Sequence, residues 1–317
     1  MTIAWVIGSG GLLGSALCRM SRRTETILFK PSERFHWNSE TELIDQLAAE
    51  VKAFAAYLNS DSRWEIYWAA GVGTMSSTES ELVVETRVLT KLIELVDSEP
   101  SLISKRGAFV FASSAGAIYA GSLDDVITED TVPSPSTAYA RAKLEQENLV
   151  KQFALQNRHV TALIARVSTL YGPGQATGKQ QGLIAHISRC ILRNQPIQIY
   201  VPFDTIRDYI TTDDAAAEIV ATLRNLETGT GAITKIIASE QPVTIAEIIS
   251  IYKRISRRPP RIITSANKLS SLYSKRVRFC SKTAVVNKSA PRTSLLVGIA
   301  QIMAAERSAF MRNKIKL

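Results

Sequence analysis

Tyr139-Ala140-Arg141-Ala142-Lys143 sets a phenol and an ammonium four residues apart, on one face of a helix. A free tyrosine titrates near pH ~10 and is a poor acid–base group at neutrality. A lysine ammonium beside it stabilises the phenolate and moves that value towards working pH. Ser113-Ser114 ends an apolar strand, where a parallel sheet presents its ligands, and offers a hydroxyl to the same reaction. Near the N-terminus, Gly8-Ser9-Gly10-Gly11-Leu12-Leu13-Gly14 follows a strand and opens a helix. Read as GxxGxxG through Gly8, Gly11 and Gly14, it lets the backbone turn tightly and a pyrophosphate approach the helix N–H groups. Leu13 at the sixth place excludes the GxGxxG form. A dinucleotide-binding domain usually sets an Asp or Glu after the second strand, against the ribose hydroxyls. Here that stretch is Leu28-Phe29-Lys30-Pro31-Ser32-Glu33-Arg34. Lys30, with Ser32 or Arg34, fits a 2′-phosphate, so the expected cofactor is NADP, with NAD as the alternative.

The elements that must position these groups alternate along the first half of the chain. Strands are expected over Ile3–Ile7, Thr26–Phe29, Glu65–Ala70, Ala108–Ser113 and Val160–Val167. Helices are expected over Leu12–Met20, Glu42–Leu58, Ser80–Val96 and Thr137–Gln156, each with apolar residues at helical spacing. Such alternation implies an α/β fold, a parallel sheet with helices on both faces. After Tyr171 the pattern loosens. Gly172-Pro173-Gly174 and the polar run Gln175–Gly182 read as a loop. Helices follow over Leu183–Arg193 and Asp213–Leu226, with a strand over Ile197–Tyr200. From Pro242 onward the chain is mixed and basic, broken at Pro259-Pro260. No internal repeat is visible, so a second lobe built from insertions and the tail is expected to pack on the first.

The chain has 317 residues, 45% hydrophobic and 21% charged, a globular composition with enough apolar side chains for a sizeable core. Its apolar runs are far shorter than the roughly 20 residues of a membrane span, and the N-terminus lacks the pattern of a secretory signal. Cys18, Cys190 and Cys280 are scattered, without CxxC spacing, which argues against a disulfide framework and a zinc site. Three reduced, mostly buried thiols and a cytoplasmic location are expected, with no metal. The net charge of +9 is uneven. Residues 253–317 hold 16 Lys or Arg and a single acid, Glu306, while the remainder is mildly acidic. An anionic partner for the tail would fit, but no regular aromatics interleave these charges as they do on nucleic-acid platforms. A solvated face is expected rather than a nucleic-acid site.

Taken in order along residues 1–226, these motifs resemble the extended short-chain dehydrogenase/reductases, the NAD-dependent epimerase/dehydratase family. The resemblance rests on Gly8–Gly14, Trp68-Ala69-Ala70, Ser113-Ser114-Ala115-Gly116-Ala117-Ile118-Tyr119 and Tyr139–Lys143. It continues through Ala165-Arg166, Tyr171-Gly172-Pro173-Gly174-Gln175, and Arg207-Asp208-Tyr209-Ile210 ahead of Asp213-Asp214. It implies a Rossmann-type doubly wound parallel sheet with a smaller C-terminal substrate-binding lobe. Residues 1–170, with 206–238 returning, would form the dinucleotide domain; 171–205 and 239–317 would form the lobe. Tyr139 would be the catalytic acid/base and Lys143 the group that tunes it and holds the nicotinamide ribose. Ser114, 25 residues before Tyr139, would hold the reacting oxygen, with Ser113 as the fallback. Cofactor contacts are implied at Gly8, Gly10, Gly11, Leu12, Leu13, Gly14, Lys30, Ala69, Ala70, Gly71 and Arg166. Substrate contacts are implied at Ser113, Ala115, Thr169, Gln175 and Arg207, the last on a diphosphate.

Departures from the family pattern narrow the expected reaction. Ala115 and Gly116 stand where the dehydratases carry an Asp-Glu pair, which argues against a dehydratase. Glu85 stands where an Asn is frequent, and Thr169 where another Asn lies near the diphosphate. His186 is expected to be a packed or surface side chain rather than a second acid/base. The expected activity is an NADP-dependent reduction of a nucleotide-linked keto (deoxy)sugar at C4, with Tyr139 as proton donor. A nucleotide-sugar C4 epimerase is the runner-up, and a non-catalytic sensor or nucleic-acid-binding protein a third reading. The resemblance also implies a homodimer, with Ser80–Val96 and Thr137–Gln156 packing across a two-fold axis.

Overall fold

In the first strand, β1 (Thr2–Ile7), Ile3, Trp5 and Ile7 face one side while Ala4 and Val6 face the other. All five are buried, the mark of a strand covered on both faces. The structure, a computed structural model, describes residues 1–71, 73–175, 182–226, 229, 231–257, 260–264, 277–283 and 292–315. Residues 176–181 of the loop expected to border the sugar pocket, Pro259, and much of the basic tail lie outside this set.

β1 leads into α1 (Leu12–Arg23), β2 (Thr26–Phe29), α2 (Glu40–Tyr57) and β3 (Arg63–Trp68). There follow α3 (Glu79–Asp97), the single turn α4 (Pro100–Ile103), β4 (Gly107–Ser114), the single turn α5 (Ala115–Ile118), α6 (Ala138–Gln156) and β5 (Val160–Val167). The chain then runs through β6 (Thr169–Tyr171), α7 (Leu183–Leu192), β7 (Ile197–Ile199), β8 (Ile206–Thr211), α8 (Thr212–Asn225) and β9 (Gly231–Ile237). It ends with β10 (Pro242–Thr244), α9 (Ile245–Ser256), β11 (Ile262–Thr264) and α10 (Leu295–Ile315).

Six of these strands form one parallel sheet in the order β2-β1-β3-β4-β5-β9. Helices α2, α3 and α6 cover one face, over Trp5, Trp64, Trp68, Phe109 and Phe111. Helices α1 and α8 cover the other, over Ala4, Val6, Ala108 and Val110. Small residues on that second face let α1 and α8 approach closely. This is the doubly wound Rossmann arrangement expected from the sequence. The strand order reverses between β1 and β3, and the crevice beyond their C-terminal ends is where such sheets bind ligands.

The smaller lobe has its own core, formed by Ile184, Ile187, Ile197, Ile199, Tyr209, Ile248, Tyr252, Ile299 and Ile302. Two short sheets belong to it, β10-β8-β6 and β11-β7. Residues 206–238 divide between the two parts: β8 pairs within the small sheet, while α8 packs on α1 and β9 completes the large sheet. Among the described residues no helix is long and apolar enough to cross a membrane. All three cysteines are free thiols, but only Cys190 is buried; Cys18 is half-buried. Cys280 is exposed, although it follows Phe279, which is buried and bridges to Ile127.

Candidate active site

The glycine turn after β1 is built by backbone packing. Gly8 has φ +88°, and a Cβ there would come within 2.6 Å of Ala70 N. A Cβ on Gly14 would collide with Gly8 O, so the first turn of α1 sits directly on the strand end. Gly10 faces open space. No side chain caps α1, whose N-cap is Gly11, and its first turn holds no acidic residue. The free N–H groups and positive dipole end therefore point into the crevice with nothing to neutralise them. That cradle fits the pyrophosphate of a dinucleotide. A cavity of ≈ 210 Å³ lies against it, lined by Leu13, Ala69, Ala70, Gly71 and Gly73 on one side and by Ser113, Ser114, Tyr139 and Lys143 on the other.

At the end of β2, Lys30 is exposed, but Ser32 is not available beside it. The Ser32 amide and hydroxyl both donate to Glu50 Oε1, at 2.8 and 2.5 Å. The loop folds back along α2, where Gln46 also accepts from the His36 amide and donates to Arg34 O.

β4 carries Ser113 and Ser114 to the crevice and, because side chains alternate along a strand, sends them opposite ways. Ser113 Oγ donates to the buried Glu147 carboxylate at 2.7 Å. Ser114 is the N-cap of α5 yet caps nothing there, and it lines the same cavity wall as Tyr139. Ala115, next in line, is fully buried. Tyr139 and Lys143 stand one turn apart on α6, whose N-cap Thr137 accepts from Ala140 N at 3.2 Å. Lys143 Nζ lies 5.8 Å from the Tyr139 ring centre and 5.1 Å from that of Phe111. It donates to Glu85 Oε1 at 2.9 Å and to Gln146 Oε1 at 3.0 Å. Gln146 Nε2 in turn donates to Thr86 Oγ1. Burial pushes the Tyr139 phenol above its ordinary range; Lys143 and the Ser114 hydroxyl pull it down, while Glu85 pushes it further up.

Arg166 is placed by β5 beneath this group. Its Nε and Nη2 grip Glu147 at 2.9 and 2.6 Å, and its Nη1 donates to the Tyr119 hydroxyl. Ser113 and Arg166, both expected to touch ligands, are thus joined through one carboxylate that the sequence reading did not single out. Thr169 is exposed on β6, and Arg207 Nη1 donates to Ile206 O at 2.9 Å. The Gln175 carbonyl accepts from Arg189 at 2.7 Å. His186 lies on the exposed side of α7, with its ring 3.6 Å from Cys190 Sγ. Among the described residues no three His, Cys, Asp or Glu side chains gather as a possible metal site.

Glu85 and Glu147 are the residues that sequence reasoning underused. Glu85 falls on the inward stripe of α3, with Leu82, Thr86 and Leu89, and Glu147 on that of α6, with Lys143 and Val150. A carboxylate on a buried helical stripe is itself a signal, because it must find a cation.

The model of the NAD dependent epimerase/dehydratase family matches residues 4–236. The dTDP-L-rhamnose 4-epimerase of Burkholderia thailandensis is 34% identical over 94 residues, 29% of this chain and 26% of that protein. The dTDP-4-dehydro-6-deoxyglucose reductase of Escherichia coli is 30% identical over 114 residues, 36% of this chain and 35% of that protein. The matches therefore span only about a quarter to a third of these relatives' lengths. Two solved structures share the fold with a TM-score of 0.78 at 20% identity, covering 98% of this chain and 100% of each of theirs. They are MoeE5 in complex with UDP-glucuronic acid and NAD, and RMD from Pseudomonas aeruginosa complexed with NADPH.

Proposed function

The chain belongs to the NAD dependent epimerase/dehydratase family, and on that premise we propose that it reduces a nucleotide-linked keto (deoxy)sugar at C4 with NADPH. The observation that carries the reading is the placement of Tyr139, beside Ser114 and backed by Lys143, at a cavity shared with the glycine cradle. The cradle of Gly8, Gly10, Gly11, Leu12, Leu13 and Gly14 would hold the dinucleotide's pyrophosphate, with Ala69, Ala70 and Gly71 opposite. When bound, the dinucleotide supplies a hydride to the carbonyl carbon. Tyr139 gives its proton to the carbonyl oxygen, and Ser114 holds that oxygen as negative charge develops on it. Lys143 has three N–H donors, two of them taken by Glu85 and Gln146, and the third would serve to hold the nicotinamide ribose. Arg207 meets the substrate's diphosphate, and Thr169 and Gln175 border the sugar. Ser113, on the cavity wall, and Arg166 are held together by Glu147, which fixes the ends of β4 and β5 beside the site.

Lys30, exposed at the end of β2, supports NADPH over NADH, since an ammonium there suits a 2′-phosphate. A cofactor consumed and exchanged in each turnover suits a reductase. The test is NADPH absorbance after a dTDP- or UDP-linked 4-keto-6-deoxysugar is added to the purified protein, with the product separated by chromatography. Stoichiometric loss of NADPH with a new reduced sugar is expected.

A second reading, a C4 epimerase, is favoured by the similarity to the dTDP-L-rhamnose 4-epimerase. It predicts interconversion of two sugar epimers without net NADPH loss. In either case a homodimer is proposed, formed through α3 and α6. Val83 and Val84 are exposed there, beside a hollow of ≈ 390 Å³ lined by Ile44, Leu82, Val83, Ala138 and Ala142.

A further inference from the structure

The carboxylate against Lys143 is the feature that neither the acid–base pair nor the cofactor cradle uses. We propose that Glu85 is a positioning residue of this active site: it fixes the Lys143 ammonium beneath Tyr139 and offsets its charge, committing the site to proton donation. The inference rests on the reading of Tyr139 as the proton donor and names what sets that role in this chain.

The surroundings of Glu85 are built around it. Its side chain is 9% exposed and that of Lys143 is 5% exposed, at 2.9 Å between Oε1 and Nζ. The Gly73 amide donates to Oε2 at 3.2 Å. The loop after β3 supplies glycines on both flanks. A Cβ on Gly71, whose φ is +145°, would come 2.9 Å from Glu85 Oε1. A Cβ on Gly73 would stand 3.2 Å from Tyr139 Cδ2 and 3.3 Å from Glu85 Oε2. Any larger residue at either place takes the room of the carboxylate or of the tyrosine ring. Gln146, its amide donating to Thr86, accepts a second hydrogen bond from Lys143, so two of the ammonium's three donors are held.

The charge logic follows. An ammonium alone favours phenolate and makes a tyrosine a base; a carboxylate paired with that ammonium cancels much of the attraction. Burial raises the phenol first, Lys143 lowers it, Glu85 raises it again, and the result lies above the ordinary phenol value. Glu85 itself meets a burial penalty, which Lys143 and the Gly73 amide outweigh, so it stays ionised and below the ordinary carboxyl range. Among the described residues no charge other than Lys143 and Glu85 acts on the phenol. β4 faces it with Ser114, α1 with Leu13 and the β3 loop with glycines. α3 contributes Glu85, and α6 contributes Lys143 and the neutral Gln146. Glu147 and Arg166 are closed on each other, and Arg87 is closed on Glu40 at the outer surface. The site therefore holds a protonated acid ready for a carbonyl oxygen.

Tyrosinate absorbance titrated with pH tests this, with Tyr139→Phe as the background that isolates the one phenol. In the wild type Tyr139 ionises above the ordinary phenol range. In Glu85→Gln the midpoint falls by about 1–2 pH units, within the range an adjacent charge exerts, and Glu85→Asp restores most of it. Should Glu85→Gln not fold, Glu85→Asn carries the same expectation. The alkaline limb of NADPH oxidation, where the acid has lost its proton, moves down by the same amount. A wild-type midpoint at or below the ordinary value, or a loss of thermal stability in Glu85→Gln with an unmoved midpoint, overturns the inference. A moved midpoint without reduction of any keto sugar leaves Glu85 in its role and overturns the reductase reading. Reduction with an unmoved midpoint does the reverse.

Discussion

At the scale of single residues, the proposed reaction separates groups that would touch the substrate from groups that hold them. Tyr139→Phe removes the proton donor and leaves the ring's packing, so turnover should fall about 10²–10⁴-fold with folding unchanged; steady-state kinetics and circular dichroism together check this. Glu147→Gln acts differently. It leaves the Arg166 guanidinium, 4% exposed, without its counter-charge, and losing one partner of a buried pair costs about 3–5 kcal/mol. Urea denaturation should show that loss, and a wild-type midpoint would contradict the supporting role given to Glu147. Tyr139 and Lys143 were legible in sequence because four residues is one helical turn. Ser114 was preferred to Ser113 only on its interval to Tyr139, since both stand at one strand end; that Ser113 turns to Glu147 is visible only in the structure. The partnership of Arg166 with Glu147 was hidden for a similar reason. Nineteen residues and a change from helix to strand separate the two.

At the scale of elements, the β1–α1 turn is the most exacting part of the molecule. Gly14→Ala drives a methyl into Gly8 O, and overpacking of this kind costs about 1–3 kcal/mol. Because the strain falls on the cradle, weakened NADPH binding by fluorescence titration should exceed any change in thermal stability. Glu129 ties the loop after α5 to β9 and to the C-terminal segment, accepting from the Ile236 and Lys282 amides and from Ser281 Oγ. Burial raises its carboxyl, but these hydrogen bonds outweigh burial and hold it below its ordinary range. With the folded value depressed, the stabilisation is complete above the ordinary carboxyl value and is lost as pH falls through the folded one. Glu129→Gln should therefore lower the melting temperature at neutrality and flatten its decline in acid. The strand–helix alternation up to β5 was readable because each strand is apolar on both faces. The three-residue strands β6, β7, β10 and β11 were mostly not, being too short to show a period. Helix α10 was missed because apolar and basic residues mix around it.

At the scale of the whole molecule, two expectations concern how the parts combine. The α3–α6 face, with Val83 46% exposed, is proposed to be covered by a second copy. Light scattering should give twice the 34.8 kDa chain mass, and Val83→Glu should give the monomer. A wild-type monomer at micromolar concentration would sink the dimer. Two of the crossings between the large sheet and the lobe have almost no slack. Only Ser168 separates β5 from β6, and it donates to Asp208 on the neighbouring β8 at 2.6 Å. No residue at all separates β8 from α8, where Thr211 caps the helix by accepting from Asp214 N. A hinge needs a few residues free to swing in φ and ψ, and these two crossings have none. At these two places the lobe is held to the sliding of packed surfaces, and the freedom to swing is left to residues 238–241, the longer crossing between β9 and β10.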